Sequence, residues 1–258
     1  MSAALGEAVR TPWLPYRRPR EGVRLRLFAF AQGGGAASTF NSWPELFPAD
    51  VEVCAVQLPQ RENRIAEPQY RRLSELVPDL AGAIAPLCDV PSVFFGLSFG
   101  ALVAFELAHH LRRRHGFGPS ALFVASQAAP RLTVPPAQTS DGLSEEAFAA
   151  AVRREGAVGP EVLANPDLFA LVVPLLRVDS MLSETYRYER REPLDVPLSA
   201  FRGRADARVT VADMEPWGEE TVETFRMREI DSGHIVVDAT RDAVLPALLA
   251  DLAAERLR

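Results

Sequence analysis

The segment VFFGLSFGALVAFELA places Gly96-Leu97-Ser98-Phe99-Gly100 between a short apolar run and a stretch with helical spacing. A serine at such a junction occupies a strained strand-to-helix turn that lifts its hydroxyl above a sheet, and the flanking glycines leave room for neighbouring backbone. The helix that starts after it aims unpaired N–H groups and the positive end of its dipole at any oxyanion formed there. The pattern therefore points to nucleophilic acyl chemistry at Ser98. GxSxG alone also occurs as a simple turn, so the chemistry requires partners elsewhere in the chain.

A hydroxyl attacks only if a base takes its proton. Of the four histidines, His109, His110 and His115 lie on the helix leaving the turn and read as solvated helix positions. His234, in DSGHIVV, follows a strand ending at Ile230 and so falls at the carboxyl edge of a parallel sheet, where sites form. The orienting carboxylate belongs between the serine and the histidine in chain order. Asp206, in RGRADARV just after PLSAFRG, fits that place; its plain alternative is a loop carboxylate balanced by Arg204 and Arg208. Among its rivals, Asp195 precedes its strand and Asp179 lies in a helical pattern, so neither is expected at the active edge. Asp213 reads as a helix N-terminus, and Asp231 is a further rival. An oxyanion needs two donors: the backbone N–H of Phe99 and one from the loop after the first strand, where Gly33 is the best candidate with Gln32 beside it. The triple glycine at 33–35 could instead cradle a phosphate, but it has neither a GKS or GKT signature nor the spaced glycines of a dinucleotide fingerprint.

These residues need a sheet to hold them. Segments at 24–30, which alternates and then turns apolar, and at 51–58, 92–95, 121–126, 197–203 and 224–230 read as strands. Helical spacing at 71–87, with a bend expected at Pro78, and at 101–114 separates some of them. Between 131 and 195 the strand signal disappears into Ala-, Leu- and Glu-rich helical segments punctuated by proline, and an amphipathic helix over about 241–256 ends the chain. Residues 1–22, rich in Pro and Arg, read as an extended arm. Alternating strands and helices imply one α/β unit with a mostly parallel sheet covered on both faces and a helical insertion.

The 258 residues carry a net charge of −6, and all 28 basic side chains are arginine. That balance argues against nucleic acid as the main partner. Two cysteines, Cys54 in an apolar run and Cys88, suit a reducing cytoplasm. The N-terminal segment lacks the apolar stretch of a secretory signal, and Val93–Leu107 is too short to cross a bilayer.

From about Leu25 onward the chain resembles the stand-alone type II thioesterases that accompany modular polyketide and nonribosomal peptide synthases. The resemblance rests on FAFAQGGGAASTFNSW, VEVCAVQLPQREN, FFGLSFGALVAFELA, LLRVDSMLSETYRYERREPLDVPLSAFRG, GRADARV and GHIVV. It implies an α/β-hydrolase fold with a helical lid over about 131–195, Ser98 as nucleophile, His234 as base, Asp206 as its orienter, and Phe99 and Gly33 as backbone oxyanion donors. It further implies hydrolysis of acyl groups from the phosphopantetheine arm of acyl or peptidyl carrier proteins, clearing stalled or misprimed modules, a scheme that requires no metal or organic cofactor. Apart from the resemblance, a monomer is expected as the working form. Where the family usually has His, this chain has Leu97; where it has Met or Leu, Phe99; where it has Pro-His-Ala, Ala31-Gln32-Gly33. Gln32, Leu97 and Phe99 are accordingly expected at the substrate pocket, where they would set acyl preference. A cationic docking surface is expected at Arg187, Arg190 and Arg191, with Arg17, Arg18 and Arg20 as weaker choices and ordinary solvated charge as the alternative. Competing functions are a carboxylesterase or peptidase on the same fold, an acyltransferase, a product-releasing thioesterase, and a hydrolase-like binding module without catalysis.

Overall fold

The computed structural model describes residues 11–134, 136, 139–155, 157–234, 245–246 and 248–253. Six strands form one sheet: β1 Leu25–Phe30, β2 Val51–Val56, β3 Ser92–Leu97, β4 Ala121–Ala125, β5 Leu198–Gly203 and β6 Phe225–Ile230. Their order is β2-β1-β3-β4-β5-β6, and each neighbouring pair is parallel. The first four strands are buried along their whole length, and apart from Arg26, Glu52 and Ser92 their residues are apolar, as suits strands covered on both faces.

Side chains alternate between two cores. On one face Phe28, Phe30, Phe94 and Leu122 pack against two helices, α1 (Leu73–Ile84) and α2 (Phe99–His115). Pro78 lies inside α1, at its middle. On the other face Leu27, Phe95 and Phe123 meet Phe40, Trp43 and Phe47 from short turns after β1, together with Leu248 and Leu252. Leu248 and Leu252 belong to the described part of the C-terminal helix, which Asp251 ties to the sheet by accepting hydrogen bonds from Ser199 Oγ (2.9 Å) and Arg228 Nε (3.1 Å). The remainder of the helix expected over 241–256 lies outside the described residues, as do residues 1–10 of the expected arm. From Thr11 onward that arm is anchored: Trp13 and Leu14 are buried in the first core, and the Arg64 guanidinium stacks 3.8 Å over the Trp13 ring.

Between β4 and β5 the chain leaves the sheet and builds three helices: α3 (Glu145–Glu155), α4 (Pro160–Ala164) and α5 (Pro166–Glu184). They enclose a small core of their own, with Phe148, Val152, Phe169, Val173 and Leu176. A parallel sheet with helices on both faces and a helical cover inserted after β4 is the α/β-hydrolase arrangement. Between β5 and β6 stands a one-turn helix, α6 (Val211–Met214), opened by a Thr210–Asp213 capping box, so Asp213 does cap a helix as its sequence context suggests.

Candidate active site

The site is assembled where β3, β5 and β6 end. Ser98 directly follows β3 with φ +51° and ψ −122°, a region that disfavours any residue with a Cβ. Two contacts hold the strain. The Ser98 N–H donates to the Ala125 carbonyl at 2.7 Å, and the Ala101 N–H donates to the Ser98 carbonyl at 2.8 Å. The flanking glycines are required by close approach: a Cβ at Gly96 would clash with the backbone of Gly100 and Ala101, and one at Gly100 with the carbonyl oxygens of Phe30 and Ala31. Phe99 is the first residue of α2, so its N–H has no partner within the helix and stands beside the nucleophile. At its other end α2 carries Arg112, Arg113, Arg114 and His115 and stops at left-handed Gly116, which complements the dipole.

Asp206 and His234 come from the loops that follow β5 and β6, and those loops are laced together. Arg204 N–H donates to Ile230 O at 2.9 Å and Ala205 N–H to Ser232 O at 3.0 Å, while a Cβ at Gly203 would strike the carbonyls of Ser232 and Gly233. The result brings three distant side chains into a line. Ser98 Oγ lies 3.3 Å from His234 Nε2, and His234 Nδ1 lies 2.8 Å from Asp206 Oδ2. The other carboxylate oxygen of Asp206 accepts from the N–H groups of Arg208 (2.8 Å) and Val209 (3.1 Å). Burial of Asp206 favours its protonated form, but the hydrogen bond to His234, that ring's charge and the two backbone donors outweigh it and hold the carboxyl below the ordinary range. A carboxylate ionised in this way keeps the imidazole Nδ1 protonated and turns the Nε2 lone pair toward the serine.

Above Ser98 opens a chamber of about 450 Å³. Gly33, Phe99 and Leu176 contribute to its wall, α3 supplies Phe148 and Val152, and Ser180 and Ser183 add hydroxyls on one side. Leu97 and Gln32, expected here beside Phe99, do not line it. Leu97 is one residue out of phase with the chamber: strand alternation sends it with Val93 and Phe95 into the opposite core. The Gln32 side chain folds under the loop, where its amide carbon lies 2.9 Å from the position of a Cβ on Gly35.

Four other sequence expectations are corrected. Asp179, expected away from the active edge, is 1% exposed and lies on α5 facing the chamber. It receives the Gly34 N–H at 2.8 Å and a two-pronged ion pair from Arg61. Sequence reasoning missed both residues, although one signal was present. The buried positions of α5 are Phe169, Val173, Leu176, Asp179 and Leu182, so the carboxylate stands on the apolar stripe itself and needs a partner. His109 is not solvated but buried, edge-on to Phe105 with 4.6 Å between ring centres, and burial plus nearby arginines push its pKa down to about 3. Arg191, expected to be a docking cation, lies over the Phe105 ring and is paired with Glu106. Arg17 and Arg20 are also engaged, with Glu52 and with the carbonyls of Pro44 and Val51. Arg18 and Arg190 are exposed, and Arg187 donates to the carbonyls of Glu184 and Tyr186.

Among the described residues no group of three or more metal-ligating side chains occurs, and no helix is long and apolar enough to cross a membrane. Cys54 and Cys88 are both free thiols, and burial pushes the Cys54 pKa up to about 12.

Among curated proteins, the chain is 36% identical over 215 residues to the gramicidin S biosynthesis protein GrsT of Aneurinibacillus migulanus, covering 83% of each. It is 33% identical to the linear gramicidin dehydrogenase LgrE of Brevibacillus parabrevis, over 93% of this chain and 92% of that one. A dehydrogenase's dinucleotide would require spaced glycines after β1, and this chain has Gln32-Gly33-Gly34-Gly35 there instead. Among solved structures, RedJ, a thioesterase from the prodiginine biosynthetic pathway of Streptomyces coelicolor, superposes with a TM-score of 0.80 at 32% identity, over 98% of both chains. The sequence model of the family described as Thioesterase domain matches residues 25–252, which takes in the whole sheet, the helical insertion and all three aligned side chains. On that match, and with this fold, the chain belongs to the thioesterase family.

Proposed function

We propose that the protein is a serine thioesterase that hydrolyses acyl groups from the phosphopantetheine arm of acyl or peptidyl carrier domains, freeing modules of a synthase that are stalled or wrongly primed. The observation that carries the chemistry is the Ser98–His234–Asp206 line beneath a chamber roofed by α3 and α5. Relatives named for gramicidin and prodiginine biosynthesis support the carrier-bound substrate.

In this reading the Ser98 Oγ–H proton passes to His234 Nε2 as oxygen attacks the thioester carbonyl. The new oxyanion is held by the N–H groups of Phe99 and Gly33. Collapse breaks the C–S bond, and the proton on His234 goes to the departing pantetheine sulfur. Water then enters and loses its proton to the same nitrogen. Its oxygen attacks the acyl-Ser98 ester, and the carboxylic acid leaves as Ser98 recovers its proton. Asp206 holds the ring through both cycles. The scheme uses no metal or organic cofactor. One chain supplies every group, which fits a working monomer.

Acyl-pantetheine thioesters should be hydrolysed much faster than matched oxygen esters, and Ser98→Ala should abolish turnover of both. Equal rates on the two substrates would point to a general esterase, and residual turnover by Ser98→Ala at the wild-type rate would refute the nucleophile.

A further inference from the structure

The Gly33–Gly35 loop is fastened to the helical insertion by a buried ion pair that the catalytic line does not use. Asp179, from the middle of α5, accepts the Gly34 N–H through Oδ2 at 2.8 Å. Arg61, from the turn after β2, donates Nη1 to the same oxygen at 2.9 Å and Nη2 to Oδ1 at 2.8 Å. Arg61 Nη1 also donates to the Gly35 carbonyl at 3.0 Å, and its Nε donates to the Pro59 carbonyl at 3.2 Å. The two side chains are 3% and 1% exposed. Gly34 has φ +72°, and the Gly35 N–H closes the turn on Gln32 O at 2.9 Å. The loop that presents Gly33 is therefore gripped at its second glycine by the lid helix and at its third by Arg61, while Ala37 N–H is held by Gln57 Oε1 at 2.6 Å.

We infer that Arg61 and Asp179 are positioning residues: they fix the Gly33 N–H at the oxyanion site and make that placement conditional on α5 lying over the chamber. The inference rests on the acyl-transfer reading of Ser98. Three physical points favour it over a merely structural pair. A buried ion pair is weak evidence of stabilisation, since apolar replacements of similar size are often as stable. Here, moreover, the carboxylate spends one oxygen on a backbone amide next to the proposed oxyanion donor. A fork of two parallel hydrogen bonds also fixes direction in a way a single contact does not. Any swing of α5 away from the sheet must take Asp179 with it, releasing Gly34 and Arg61 together, so an open lid and a formed oxyanion site exclude each other.

The test compares Asp179→Ala, Asp179→Asn and the double variant Arg61→Met with Asp179→Leu. Each is titrated for active sites with a serine-directed phosphonate and assayed on an acyl-pantetheine thioester. Removing one oxyanion donor costs about 10²–10³ in kcat in known enzymes, and a displaced donor should cost at least about tenfold. Asp179→Ala should lose that much kcat per active site, with KM within about threefold. Asp179→Asn, which keeps an acceptor for Gly34, should fall between it and the wild type. In the double variant the thermal midpoint should recover toward wild type while kcat stays low, because the Gly34 amide still lacks its acceptor. Recovery of kcat together with stability in the double variant, or wild-type kcat in Asp179→Ala, would overturn the positioning role. Ser98→Ala in the same assay separates the two claims: if it stays active, the reading of Ser98 fails, whereas an inactive Ser98→Ala beside a fully active Asp179→Ala sinks only this inference.

Discussion

At the scale of single residues, the chemistry depends on which nitrogen of His234 carries the proton. Asp206 is 2% exposed, and its carboxyl is held below the ordinary range, so it stays ionised through the mildly acidic region and its hydrogen bond to His234 persists there. Asp206→Asn would leave the shape intact but present an amide that stabilises the wrong imidazole tautomer. Loss of kcat by about 10³–10⁴ is expected, with KM little changed, measured by steady-state hydrolysis of a small thioester. His109 gives a prediction about stability. Its pKa is about 3 in the folded chain and near 6.5 when unfolded, with Arg191, Arg112 and Arg113 facing it. Between those values the unfolded state binds the extra proton, so stability falls as pH drops from 6.5 toward 3 and is not lost above 6.5. Relative to His109→Leu, the wild type should lose about 2 kcal/mol between pH 7 and pH 5, read from denaturant unfolding. Parallel pH profiles for the two proteins would show that His109 does not titrate this way.

At the scale of elements, the nucleophile turn is where local backbone energy is set against function. Ser98 sits at φ +51° and ψ −122°, which glycine tolerates and alanine does not. Ser98→Gly and Ser98→Ala should both be inactive, yet Ser98→Gly should be more stable by about 1–2 kcal/mol in thermal or denaturant unfolding. Equal stability would mean that the turn is not strained. The strands and the two helices beside the turn were legible in the sequence because parallel strands buried on both faces leave largely apolar runs, and because Ser98, Asp206 and His234 each lie just past a stretch that reads as a strand. Legibility ended where contacts are long-range and local period says nothing. Asp179 meets Arg61 across 118 residues, so the helical pattern around Asp179 argued for a place away from the site. Leu97 was misplaced by a single step of strand alternation. His109 was misplaced because the segment that covers α2, with Tyr186 bonding Glu106 and Arg191 pairing with it, comes from the end of the lid after α5, some 80 residues further along the chain.

At the scale of the whole molecule, a chain of net charge −6 must meet a carrier domain through local features. The structure narrows the arginines near the end of the lid, since Arg191 is committed to Glu106 while Arg190 remains exposed. Charge reversal by Arg190→Glu should slow hydrolysis of acyl groups on an acidic carrier protein by about threefold to tenfold at low salt. Small thioesters should be unaffected, because steering acts on encounter and not on the bond broken. Equal slowing of both substrates would remove Arg190 from the docking surface.

The central claim, that Ser98 accepts the acyl group from a pantetheine thioester and passes it to water, is tested most directly by intact-mass spectrometry of an acylated carrier protein incubated with enzyme. Wild type should return the carrier to its free-thiol mass, with the acyl mass appearing transiently on the enzyme at Ser98. Ser98→Ala should leave the carrier acylated and itself unmodified. Deacylation by Ser98→Ala, or an acyl adduct on any other residue of the wild type, would contradict the account.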